Sequence, residues 1–264
     1  MLNIVFLLLA VAATVAVYLI APAVSLWWLL PMLVGAYVGV IVVYFVFLFL
    51  ASLFMPTKKP IQKPNGFCRF MIWITMDWLM KLFRIRITMK GKELLPREPF
   101  VLISNHLSDF DPLVVLAVMP ERAIGYICKE TILKIPIVGP FIYHAGFLSI
   151  DRKNGVRAVK TLQRAAELMK GAEMNVGIYP EGTRSRTGEL LRFKPGAFLL
   201  ARDADAPVVV MTTKGTDAIS KNVPFRSTKV ELEVLAVLER EQIKQTPDKE
   251  LCELTRTMIE EGLK

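Results

Sequence analysis

No Asp, Glu, Lys or Arg occurs in the first 57 residues, so all 33 basic and 24 acidic side chains fall after Thr57. With 53% hydrophobic residues and a mean hydropathy of +0.44, this distribution excludes a uniformly soluble globular chain and splits the sequence in two. Histidine is scarce: only His106 and His144 are available to chemistry that needs an imidazole. The three cysteines, Cys68, Cys128 and Cys252, are odd in number and far apart, which excludes a disulfide framework and a CxxC metal site and leaves plain thiols. No internal repeat or low-complexity tract is present. The net charge of +9 rests on residues 58–264, where it suits anionic lipid, nucleic acid or an acidic small substrate, and charge alone does not choose among them. No nucleic-acid-binding motif accompanies the basic residues, so no nucleic acid partner is expected.

The uncharged segment has room for two membrane spans. Ile4 to Ile20 would be ~26 Å long as a helix and Met32 to Phe54 ~35 Å, against a hydrocarbon core of ~30 Å. Between them Pro22, Trp27, Trp28 and Pro31 combine helix breakers with aromatics that favour a headgroup boundary, as in a hairpin turn. A secretory signal peptide competes, since AVAATVA offers small residues near a cleavage site, but its basic leader region is missing. Lys58, Lys59, Lys63 and Arg69 follow the second span, and the positive-inside bias places that side, with the catalytic domain, on the cytoplasmic face of an integral membrane protein. Three segments are therefore expected: a transmembrane hairpin over 1–57, a linker and interfacial amphipathic helix over 58–84, and an α/β domain over 85–264. In the middle segment KKPIQKPNG reads as the linker. From Phe67 to Phe83 only a narrow stripe is charged, and the broad face with Met71, Trp73, Met76, Trp78 and Met80 suits a membrane surface, a buried groove or an ordinary core.

Beyond Arg84 the periods alternate. Strands are expected at Ile85–Met89, PFVLIS (99–104), IGYIC (124–128), FLSI (147–150), VGIY (176–179), PVVVMTT (207–213) and KVELEVLAV (229–237). PFVLIS, a continuous apolar run, suits burial on both faces. Helices are expected from Asp111-Pro112, over Asn154–Lys170, Lys194–Arg202 and Asp248–Gly262, with Asp111 as an N-cap and Gly171 as a stop. The alternation predicts an α/β fold with a mainly parallel mixed sheet flanked by helices, preceded by the N-terminal helical hairpin.

Two constellations sit at strand ends, where open α/β sheets collect their functional groups. His106 lies in NHLSDFDP after PFVLIS, with Asp111 five residues on. If the chain turns between them, the carboxylate fixes one ring nitrogen and leaves the other as a base. Alternatively Asp111 only caps a helix and His106 is a loop histidine. The second constellation is YPEGTRSRTGELLRFKPG, residues 179–196. Backbone N–H groups around Gly182, with Thr183, Arg184, Ser185 and Arg186, form a donor set for a phosphate monoester, unless the segment is a solvated loop tip. Glu181 would orient Arg184 or bond a substrate hydroxyl. Arg152, Lys129 and Lys134 bring further cations to strand ends.

These motifs, in this order, resemble the 1-acylglycerol-3-phosphate acyltransferase (lysophospholipid acyltransferase) family. NHLSDFD resembles the NHxxxxD motif, GFLSIDR the second motif, YPEGTRS the PEGTR motif and APVVV the fourth, with KETILKIPIVG similar to the family's linking segment. The likeness spans about residues 84–215. After Pro207 the chain runs VVVMTTKG, without the second proline often found there. The resemblance implies a membrane-bound acyltransferase that moves a fatty acyl group from acyl-CoA or acyl carrier protein to the hydroxyl of a lysophospholipid, most typically lysophosphatidic acid, with no metal and no resident cofactor. Within it His106 is the base and Asp111 its orienting partner. Arg152, Arg184 and Lys134 would hold the acceptor phosphate in a loop shaped by Gly182 and Thr183, with Glu181 in the same set. A different lysophospholipid or lipid acceptor fits the same chemistry.

Two other classes compete. A metal-dependent hydrolase would use His106, Asp109, Asp111 and His144 as ligands. A non-enzymatic membrane recruitment module would explain the charge and the hairpin but leaves NHLSDFD and PEGTR without a task. His144 otherwise reads as a structural residue beneath the site.

Overall fold

The structure is a computed structural model that describes every residue except Pro22, Ala23, Lys58, Glu173 and Arg186. The expectations placed on Pro22, Lys58 and Arg186 therefore lie outside the described residues. The chain divides into two units, Met1–Pro56 and Thr57–Lys264.

The first unit holds helices α1 (Leu2–Ile20) and α2 (Leu29–Leu53), which pack on one another. At 1.5 Å per residue they are ~28 and ~37 Å long, and both are long and apolar enough to cross a membrane. A short 3₁₀ turn over Leu26–Trp28 leads into α2, and Trp27 and Trp28 are exposed. Pro31 does not break the chain as expected. It sits in the first turn of α2, where its missing N–H has no helical partner to lose. Polar groups in these helices bond internally: the Tyr37 hydroxyl donates to Asn3 at 2.9 Å and Thr14 to the Ala10 carbonyl at 2.8 Å. The Phe6 ring meets Tyr44 edge-on.

In the second unit, helix α3 (Gly66–Leu82) precedes strand β1 (Ile85–Lys90). The chain continues through β2 (Val101–Ser104), α4 (Asp111–Val118), β3 (Ile124–Lys129), α5 (Glu130–Leu133), α6 (Val138–His144) and β4 (Leu148–Ile150). It then forms α7 (Gly155–Ala172), β5 (Asn175–Ile178), α8 (Gly196–Ala204), β6 (Val208–Lys214), α9 (Ile219–Asn222), β7 (Thr228–Leu238), α10 (Arg240–Gln245) and α11 (Asp248–Gly262). Every expected strand is present. The seven strands make one sheet in the order β1-β7-β6-β2-β5-β3-β4, parallel throughout except for the β6–β7 pair. The fold class is thus a mainly parallel mixed α/β sheet.

Each central strand feeds two cores. Val101 and Ile103 of β2, with Val208 and Val210 of β6, face α7 and α8 through Leu162, Ala165, Phe198 and Leu200. The alternate residues Phe100, Leu102, Val209 and Met211 face Val114, Val115 and Met119 on the α4 side. Period-two alternation between two apolar layers is why PFVLIS and PVVVMT read as continuous runs. Helix α3 packs against α4 and α6 and buries Met71, Ile74, Trp78 and Met80, while Phe67 and Phe70 stay exposed. Of the three settings open to its broad face, Met71, Trp78 and Met80 take burial against protein. Helix boundaries shift slightly: α7 starts under the side chain of Asn154, which accepts from Arg157 N–H, and runs through Gly171. Helix α8 lies two residues later than expected.

Candidate active site at the carboxyl edge of the sheet

Because β2, β5, β3, β4 and β6 are parallel to one another, the loops after all five leave from one edge. β2 is central, flanked by β5 and β6, so His106 is bracketed by the loops carrying PEGTR and Lys214-Gly215-Thr216. Asn105 extends the sheet beyond the last residue of β2. Its side-chain amide donates to the Thr213 carbonyl and accepts from Thr213 N–H, both at 2.8 Å, replacing one rung of the β2–β6 ladder. The next residue is thereby fixed.

His106 Nδ1 lies 2.7 Å from Asp111 Oδ2, with the imidazole 14% exposed and the carboxylate fully buried. An ionised carboxylate only accepts, so this contact puts the proton on Nδ1 and leaves Nε2 as the unprotonated nitrogen. Oδ2 also accepts from the N–H groups of Leu107 at 2.8 Å and Ser108 at 2.9 Å, and the Thr216 hydroxyl donates to Oδ1. The expected N-cap role for Asp111 does not hold. It is the first residue of α4, Phe110 occupies the cap, and the carboxylate turns back onto the loop before the helix.

Behind the imidazole stands an aromatic stack. The ring of Tyr179 lies face to face with His106, centroids 4.0 Å apart and planes 9° from parallel, and Tyr126 stacks behind Tyr179 at 5.5 Å. Burial pushes both phenols well above their ordinary range, so they stay neutral.

Glu181 takes partners other than the Arg184 expected for it. Its carboxylate accepts from backbone N–H groups instead of pairing with Arg184. It is 3% exposed and accepts from His106 N–H at 2.7 Å and Leu191 N–H at 3.1 Å. Burial raises its pKa, with those two N–H groups opposing the rise. The PEGTR loop grips His106 from the other side too, since Ser185 N–H donates to the His106 carbonyl at 2.9 Å.

Arg184 pairs instead with Asp109 at 2.5 Å, both largely exposed. Gly182 has φ +70, and a Cβ there would lie 2.9 Å from Lys194 Nζ, so the absence of a side chain lets that ammonium rest on the loop. Lys194 is held there by its own N–H, which donates to the Pro180 carbonyl at 2.8 Å. Thr183 is exposed on the same loop. Arg152 emerges exposed just after β4, three strands and therefore ~14 Å from β2. The Lys134 ammonium pairs with Glu130 at 2.7 Å, both side chains exposed at the α5 segment. His144 ends α6, with its carbonyl accepting from Asn65 N–H and its ring edge-on to Tyr143. Among the described residues no three His, Cys, Asp or Glu side chains gather as metal ligands would.

Sequence reasoning missed Asn105, Tyr179, Lys194 and Thr216. The first three sit inside the two constellations that already stood out, and only their contacts are new. Thr216 lies 105 residues from its partner and has no local signal.

Residues 86–214 match the model of the Acyltransferase family. The human 1-acyl-sn-glycerol-3-phosphate acyltransferase alpha is 34% identical over 170 residues, covering 63% of this chain and 59% of that one. The human beta form is 32% identical over 170 residues, covering 62% and 61%. The chain thus spans about three-fifths of the length of the curated relatives it matches. The crystal structure of the 1-acyl-sn-glycerophosphate (LPA) acyltransferase from Thermotoga maritima shares the fold. Its TM-score is 0.61 at 24% identity, over 83% of this chain and 87% of that one. Residues 86–214, from β1 to the end of β6, are thus the part of the chain that is similar to the Acyltransferase family.

Proposed function

We propose that the protein transfers a fatty acyl group from a thioester, acyl-CoA or acyl carrier protein, to the free hydroxyl of a lysophospholipid, with lysophosphatidic acid as the first acceptor. The observation that carries the reading is the 2.7 Å contact between His106 Nδ1 and a fully buried Asp111, at the strand end of a domain with this family's match. The acceptor hydroxyl is a weak nucleophile at neutral pH, and a positioned base contributes typically ~10²–10⁴-fold. His106 Nε2 takes the hydroxyl proton as the oxygen attacks the thioester carbonyl. The C–S bond then breaks, and the departing thiolate recovers the proton from the imidazolium. Asp111 stabilises that imidazolium through Nδ1–H. No enzyme nucleophile is needed, because the thioester is already activated. Burial supports this: it pushes the Cys128 thiol, at the end of β3, up to about 12, which keeps it protonated at neutral pH.

Arg184 and Lys194, both at the PEGTR loop, hold the acceptor phosphate, Arg184 exchanging Asp109 for it. Arg152 approaches from the β4 side. The two apolar helices of the first unit anchor the enzyme in the bilayer, with Lys59, Lys63 and Arg69 marking the cytoplasmic face, so that acceptor and product stay in the plane of the membrane. The test is product analysis by mass spectrometry. Purified protein in detergent is given lysophosphatidic acid, other lysophospholipids and a series of acyl-CoA and acyl carrier protein thioesters. Phosphatidic acid formed faster than any other diacyl product supports the reading. A different dominant product would reassign the acceptor, and thioester hydrolysis without transfer would overturn the reaction class.

A further inference from the structure

We infer that Thr216 is a positioning residue for the reaction, fixing the Asp111 carboxylate so that its Oδ2 stays on His106 Nδ1. The inference rests on the reading of His106 as the base. Asp111 is fully buried, and its two oxygens have different tasks. Oδ2 receives His106 and the N–H groups of Leu107 and Ser108, all supplied by the loop after β2. Among the described residues, Oδ1 accepts only from the Thr216 hydroxyl, and this donor comes from the loop after β6. A carboxylate held on one oxygen alone can swing about its Cβ–Cγ bond, and a buried oxygen without a donor is costly. The hydroxyl removes both problems.

The surroundings show a site built to deliver that hydroxyl. Thr216 is itself fully buried. Gly215 before it takes φ +84, and a Cβ at that position would stand 2.3 Å from the Lys229 carbonyl oxygen on β7, so the turn that aims Thr216 is pressed against the sheet. β6 in turn is clamped to the loop after β2 by Asn105 and Thr213. The hydroxyl donor and the carboxylate therefore share one frame: β2 presents His106, α4 presents Asp111 and β6 presents Thr216. Loop residues on neighbouring strands hold a triad in which the threonine never meets substrate.

Three variants separate positioning from packing. Thr216→Val keeps the shape and loses the hydroxyl, Thr216→Ser keeps the hydroxyl and loses the methyl, and Thr216→Cys keeps a weak donor. At a temperature where each is folded by circular dichroism, kcat should fall about 10- to 100-fold in Thr216→Val with acceptor and donor KM within about threefold of wild type. Thr216→Ser should retain kcat within about threefold, and Thr216→Cys should fall between. If Thr216→Val does not fold, the Ser and Cys pair decides: a lower kcat in Cys supports the inference and equal kcat overturns it. A loss of thermal stability with kcat unchanged in Thr216→Val also overturns it, since the hydroxyl would then only satisfy a buried oxygen. His106→Ala is run alongside. If that variant is as active as wild type, the reading of the base fails; if it is inactive while Thr216→Val turns over normally, the assignment of Thr216 alone fails.

Discussion

With four donors around one buried carboxylate, Asp111 cannot turn away from His106 without stranding several of them. The imidazole is constrained just as closely, by Asp111 at one edge and by the face of Tyr179. In the proposed reaction, a stacked ring offers its negative face to the imidazolium formed as the acceptor hydroxyl gives up its proton, an interaction worth ~0.5–2 kcal/mol. Tyr179→Leu should therefore lower kcat by roughly 2- to 30-fold at saturating substrates, whereas Tyr179→Phe, which keeps the ring, should stay within about threefold. Steady-state assays of both variants check this, and equal losses in the two would assign the effect to the hydroxyl instead of the face.

At the scale of elements, the site depends on where β2 stops. Asn105 carries the β2–β6 pairing one residue past the strand and so sets the starting point of the catalytic loop. Asn105→Ala leaves the Thr213 N–H and carbonyl without these partners in a buried position, at a cost of ~1–3 kcal/mol or more, and also frees His106 to shift. Thermal denaturation should show a melting temperature several degrees lower together with a reduced kcat; a drop in melting temperature with unchanged kcat would confine Asn105 to stability. All seven strands were legible in the sequence: β2, β5 and β6 are buried on both faces and leave continuous apolar runs, whereas β1 and β7 alternate between buried and more open positions. Helix ends were less so. Asp111-Pro112 carries the composition of a cap, and only the fold shows that the carboxylate turns back to serve His106 instead of the helix. The partner of Glu181 was hidden for a similar reason: three residues before Arg184 it reads as an ion-pair partner, yet its carboxylate accepts from backbone N–H groups 75 and 10 positions away. Contacts across strands, such as Thr216 with Asp111, leave no periodicity to read.

In the whole molecule an apolar two-helix unit precedes a domain similar to the Acyltransferase family, and the proposed function gives them one task. The charge-free helices followed by Lys59 and Lys63 predict a hairpin with both ends cytoplasmic. A cysteine introduced as Ser25→Cys in a background lacking Cys68, Cys128 and Cys252 should be labelled by an impermeant thiol reagent from outside sealed cells; labelling only after permeabilisation would replace the hairpin with an anchor that does not cross. The central claim, base-catalysed acyl transfer by His106 with Asp111, is tested most directly by the turnover of His106→Ala and Asp111→Asn in folded, bilayer-reconstituted enzyme. Lysophosphatidic acid and acyl-CoA are both saturating, and the diacyl product is counted by mass spectrometry. The account predicts a kcat lower by ~10²–10⁴ in His106→Ala and a severe loss in Asp111→Asn, with acceptor KM nearly unchanged. Product formation by His106→Ala within about threefold of wild type would contradict it.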